Sequence, residues 1–143
     1  MKKTLILFIS ISGFLIGQPF NGMTLFSPTQ GGGGGGGSFN SYLVNNELNV
    51  INEWTHPRGS ASMPYLLLDS TLVYPYRVEN PTMGSGGVGG GISKYSWNGD
   101  LIWSYEISNN TYQHHHDVEP IPNGNILVIA WERKTADEAY DVG

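Results

Sequence analysis

Four times between residues 42 and 131, two short runs of β-branched and aromatic residues are separated by two to four turn-forming residues. Residues 42–44 and 48–54 flank Asn45, Asn46 and Glu47. Residues 65–68 and 71–76 flank Asp69 and Ser70. Residues 92–97 and 101–107 flank Asn98, Gly99 and Asp100. Residues 118–121 and 126–131 flank Pro122, Asn123, Gly124 and Asn125. Asn-Gly supplies the positive-φ residues that a tight hairpin turn needs. The runs are too short for helices and rich in strand formers. The pattern therefore predicts eight short strands in four hairpins, with almost no helical periodicity.

The hairpins also resemble one another in pairs. Tyr42, Glu53 and Trp54 correspond to Tyr95, Ile102 and Trp103, and 49 residues separate the two tryptophans. The hairpin at 64–73 corresponds to the one at 120–128, an offset of about 55 residues. A repeat of ~40–50 residues holding four strands is the size of a β-propeller blade. The expected fold class is thus all-β, with about two four-stranded blades at 41–76 and 91–132. Two blades cannot close a ring, because propellers need at least ~4. An open pair would expose a sheet edge and an apolar face. The chain is accordingly expected to be the N-terminal part of a longer propeller. Assembly of several copies and a small sandwich are the alternatives.

Ahead of the hairpins lie two segments of different composition. Residues 1–18 read as a secretory signal peptide: Lys2 and Lys3 give the positive start, and 5–16 is apolar. That apolar stretch is too short and poorly flanked for a membrane span. No cysteine follows it, so a lipoprotein anchor is excluded. The mature chain is expected to work in the periplasm or outside the cell. Residues 19–40 form an N-terminal arm, in which 21–28 is a short strand or an extended segment. Seven consecutive glycines at 31–37 then act as a linker. A phosphate cradle needs a preceding strand and a following helix with Lys-Ser or Lys-Thr, and neither is present. Residues 41–143 make up the blade region.

Several function classes are excluded early. With no cysteine there is no disulfide framework, thiol nucleophile or cysteine metal site. The net charge of −5 argues against a nucleic-acid partner. A second glycine-rich stretch, 81–91, reads as a mobile loop or as a source of backbone N–H groups for an anion. Trp54, Trp97, Trp103 and Trp131 fall in predicted strands and read as core. Arg77, Arg133 and Lys134 are placed to meet an anion or simply to be solvated.

The chemistry concentrates in His114, His115, His116 and Asp117, just before the last hairpin. Imidazole serves as base, nucleophile, anion donor or metal ligand. Asp117 can fix a histidine tautomer by accepting from the second ring nitrogen. Strand alternation predicts His114 and His116 on one face and His115 on the other. A metal centre is the weaker reading, since neighbouring ligands seldom reach one ion and no His-x-His spacing beyond the run, or His-Glu-x-x-His, occurs.

These residues resemble a family. His115-His116-Asp117, followed by Pro120-Ile121-Pro122-Asn123-Gly124-Asn125-Ile126-Leu127, is similar to the His-His-Asp…Leu-Pro-Asn-Gly-Asn segment of bacterial arylsulfotransferases. Residues 21–28, the glycines at 86–91 and the 95–103 segment are similar as well. The resemblance implies an exported six-bladed propeller and a sulfuryl transfer from a phenolic sulfate ester to a phenolic acceptor. It implies a sulfohistidine intermediate, no cofactor and no metal. His115 and His116 are the catalytic residues carried over, as sulfuryl or phenol contacts, with Asp117 supporting them. The nucleophilic histidine and an arginine are expected beyond Gly143, so the 143-residue chain alone is expected to be inactive. The chain departs from the family pattern in its seven glycines and in His114. The alternative is a non-catalytic exported propeller that binds a ligand or a protein.

Overall fold

The turn residues reverse the chain where the sequence places them. Gly99 and Gly124 have φ of 90° and 85°. Each donates its N–H to the carbonyl three residues back, Ser96 at 3.1 Å and Ile121 at 3.0 Å. These are positions that glycine occupies without a Cβ clash. At the first turn the Asn45 side chain does the same work locally. Its Oδ1 accepts from the N–H groups of Glu47 at 3.1 Å and Asn49 at 2.9 Å.

The computed structural model describes residues 20–28, 39–84 and 86–141. The expected signal peptide at 1–18 and the glycine run at 31–37 lie outside the described residues. Within them the strands are β1 (Met23–Phe26), β2 (Phe39–Asn45), β3 (Val50–His56), β4 (Tyr65–Leu66) and β5 (Leu72–Arg77). They continue with β6 (Gly90–Tyr95), β7 (Leu101–Glu106), β8 (Tyr112–Pro120) and β9 (Ile126–Glu132). All pairings are antiparallel. They make three separate sheets, of order β1-β2-β3, β4-β5-β6-β7 and β8-β9.

The middle sheet is apolar on both faces, and each face meets a different neighbour. On one side Leu72, Tyr74, Tyr76 and Tyr95 pack with Leu43 and Trp54 of the first sheet. On the other, Val73 and Ile92 pack with Val118 of the third. This explains the uninterrupted apolar run of β5, whose first five residues are all buried. Pro75 sits inside that strand, although proline cannot donate to a ladder. β4 is only two residues long. Past its end, β5 is closed by the Ala61 N–H donating to the Pro75 carbonyl and the Arg77 N–H donating to the Gly59 carbonyl, both 2.9 Å.

The two-blade expectation is overturned. The hairpin at 65–77 does not complete a sheet with the one at 39–56; it pairs through β5 and β6 with the next hairpin. The third sheet has two strands, and no sheet closes or curls as a blade in a ring would. The repeat compared hairpins with each other, but pairing between hairpins depends on which edges meet. Glycine settles one such edge. A Cβ on Gly91 would overlap the Tyr105 carbonyl oxygen and stand 2.6 Å from the Tyr76 hydroxyl. Its absence lets β6 lie between β5 and β7. The glycine-rich stretch is therefore not a loop through residue 91; Gly90 and Gly91 are buried strand.

Two further expectations change. Trp54 alone of the four tryptophans is fully buried, while Trp97 and Trp103 are each 38% exposed. A short helix, α1 (Ala136–Asp141), follows the last strand. Thr135 caps it: its Oγ1 accepts from the Glu138 N–H, and Glu138 Oε2 accepts from the Thr135 N–H at 2.8 Å. That is a capping box, written in the sequence as Thr-Ala-Asp-Glu. Among the described residues no helix is long and apolar enough to cross a membrane.

Candidate functional site

The histidine cluster lies within β8, where the ladder to β9 is interrupted. His114 pairs with Ala130 and Val118 with Val128, so His115, His116 and Asp117 together face a single residue, Ile129. The surplus is absorbed as a bulge, and His116 takes a positive φ of 27°. Non-glycine residues adopt that region at a cost, and bulges re-aim side chains. The expected alternation of the three rings is therefore lost. The His115 and His116 rings come side by side, with centroids 4.4 Å apart.

His114 is a structural residue. It is fully buried. The Gly90 N–H donates to its Nδ1 at 3.2 Å, which leaves Nε2 protonated and donating to the Asp117 carbonyl at 3.3 Å. Burial holds its ionisation below the usual imidazole range, and the adjacent histidines push the same way. His114 is thus a neutral imidazole with both nitrogens used.

His115 and His116 differ. Neither ring hydrogen-bonds to a described residue, and His115 Nδ1 is buried without a partner. The His115 ring meets the Trp131 ring edge-on at 4.6 Å. Gly87 closes the other side, bridged through Val88 to His115. A Cβ on Gly87 would stand 2.6 Å from His115 Nε2 and 2.8 Å from His116 Cδ2. The backbone at Gly87, whose φ is 79°, consequently touches both imidazoles.

Asp117 does not orient either ring through its carboxylate. Its Oδ1 accepts from Ser62 Oγ at 3.3 Å, and only its backbone carbonyl serves a histidine. The residue the sequence reading missed is Gln113, fully buried one step before the cluster. Its Nε2 donates to the Gly89 carbonyl at 3.2 Å. Its Oε1 accepts from Ser108 Oγ at 2.8 Å and from the Thr82 N–H at 3.1 Å. Gln113 thereby ties both ends of the glycine-rich strap to β8. Nothing in the sequence around Gln113 signals this role, because the strap it holds is more than 20 residues away along the chain.

The arrangement offers two adjacent imidazoles, whose ring nitrogens bond no described residue, on the Gly87 backbone, with His115 also against the Trp131 ring. Among the described residues no group of three or more histidine, cysteine or carboxylate side chains is placed to hold a metal ion. No protein family, curated protein or solved structure matches this chain.

Proposed function

We propose that the chain takes part in sulfuryl transfer from a phenolic sulfate ester to a phenolic acceptor, outside the cytoplasm, with His115 and His116 as the imidazoles that meet the sulfuryl group. The observation that carries this reading is the pair of adjacent rings, neither hydrogen-bonded to a described residue, packed against Gly87. Their sequence context, with its resemblance to arylsulfotransferases, names the group they would meet. Asp117 has a lesser part than the resemblance implies, since its carboxylate is bonded to Ser62.

The chemistry suits imidazole. A ring nitrogen attacks sulfur, the N–S bond forms, and the S–O bond to the aryl group breaks. The departing phenolate takes a proton from a neighbouring imidazolium. The acceptor phenol then returns its proton to that ring, its oxygen attacks sulfur, and the N–S bond breaks. N–H donors aimed at the sulfuryl oxygens stabilise the charge that develops in the transition state of each half-reaction. No cofactor enters this cycle.

The first test is binding. Phenyl sulfate titrated into the protein should shift the imidazole resonances of His115 and His116 while leaving His114 and His56 unmoved. His115→Ala and His116→Ala should each weaken that binding. Phenyl sulfate that leaves both resonances in place at millimolar concentration removes the basis of the reading. The second test is turnover, as acceptor-dependent release of 4-nitrophenol from 4-nitrophenyl sulfate: the 143 residues alone should give none, and turnover by them would make His115 or His116 the nucleophile.

A further inference from the structure

A cleft of about 440 Å³ opens on the opposite face of the middle sheet from the histidines. Its size falls within the usual range for small-molecule sites. Tyr74, Tyr76 and Tyr95 form its base, and Arg58 and Glu106 stand at its rim. Three features define what it can hold.

The first is a chain of hydroxyls. Ser93 Oγ donates to Ser104 Oγ at 3.0 Å, and Ser104 Oγ donates to the Tyr76 hydroxyl at 3.3 Å. Ser93 and Tyr76 are both at least nine-tenths buried. The Tyr76 proton at the end of that chain has no acceptor among the described residues. Bonds in such a chain polarise one another, so its terminal O–H is a good donor.

The second is the rim pair. Arg58 Nη1 donates to Glu106 Oε2 at 2.8 Å, and the guanidinium carbon lies 5.1 Å from the centre of the Tyr76 ring. One charge cancels the other, so neither a cation nor an anion is favoured. The remaining guanidinium N–H groups and the second carboxylate oxygen still stand side by side as donor and acceptor. Two vicinal hydroxyls match that pair.

The third is the mixture of surfaces. The exposed side chains of Leu101 and Pro57 provide apolar contact beside the polar groups. A ligand that fits has an apolar face, a rim of hydroxyls that both donate and accept, and no charge. From these features we infer that the cleft is a binding site for a neutral pyranose sugar. The site is separate from the histidine cluster and does not rest on sulfuryl transfer.

Saturation-transfer NMR of the protein with a panel of methyl pyranosides (gluco, galacto, manno and xylo) tests the assignment. At least one should bind, with saturation strongest on the C–H protons of one ring face. Arg58→Ala removes a charge-assisted hydrogen bond and should weaken that binding at least ~10-fold. Ser104→Ala, at an exposed position, should weaken it by a smaller factor, and near-UV circular dichroism checks that both variants remain folded. His115→Ala should leave it unchanged. No binding by any member of the panel overturns the assignment, as does binding that Arg58→Ala leaves intact. Binding of 4-nitrophenol to the cleft in place of every sugar overturns it too.

Discussion

Gly87 and Gly86 are neighbours in sequence with opposite tolerances. Gly87 combines positive φ with two imidazoles where a Cβ would go, whereas nothing lies within 4 Å of a Cβ on Gly86. Gly87→Ala should cost about 1–3 kcal/mol, the range for strain at a special backbone conformation. Gly86→Ala should be neutral or gain ~0.4–1 kcal/mol through the unfolded chain. Urea denaturation of the two variants decides this, and equal costs would mean that the strap does not touch the rings. His56 supplies a second residue-scale expectation. It is buried between the first and middle sheets, stacked on Tyr74 at 3.6 Å, and its Nε2 bonds Ser41 Oγ at 2.8 Å. Burial pushes its ionisation down to about 4. Unfolded, it titrates near ~6.5, so between those values the unfolded chain binds more protons. The neutral ring's stabilisation is therefore complete above ~6.5 and is lost as pH falls toward 4, about 3 kcal/mol in all. Denaturation midpoints from pH 7.5 to 4.5 should fall accordingly. His56→Phe should remove most of that slope, and His114, lowered for the same reason, should leave the remainder.

At the level of elements, the hairpins are local objects and their contacts are not. Trp54 joins β3 to the middle sheet by burying its whole side chain and donating Nε1–H to the Ser96 carbonyl at 2.9 Å. Trp54→Ala should cost about 3–5 kcal/mol, as large aromatic truncations do. A loss under ~1 kcal/mol in thermal unfolding would show that the first sheet is not docked there. The turns at Gly99 and Gly124 were legible because positive φ leaves a residue-level signature. So was the cap of α1, which the period-based reading passed over because six residues are too few for a periodicity. The bulge at His115–Asp117 was not legible. Three residues opposing one is a property of two strands whose partners here lie 10 to 16 residues apart, and nothing in His-His-His-Asp states how many partners face it. For the same reason the role of His114 was invisible: the bond that fixes its tautomer comes from Gly90, on another strand.

Across the whole molecule, stability should be graded outward from the middle sheet. β5 and β6 are buried between two neighbours, whereas every residue of β7 and most of β9 are exposed. Amide exchange should be slowest at Leu72–Tyr74 and Ile92–Tyr95 and much faster along β9, which pairs with one strand only. Mass-resolved hydrogen exchange can rank them, and equal protection of β9 and β6 would contradict the layering. What the sequence by itself determined is the all-β character and the position of four hairpin turns, because turn chemistry and strand propensity act over a few residues; that β8 starts at Tyr112 and takes the histidines into the last strand pair was not among its expectations. Only the tertiary structure decided that the second and third hairpins share a sheet, that one tryptophan of four is core, and that one histidine of three is structural. Those outcomes depend on which edges and faces meet across 20 or more residues of chain, and side chains of the same kind satisfy a local pattern equally well whichever partner they find.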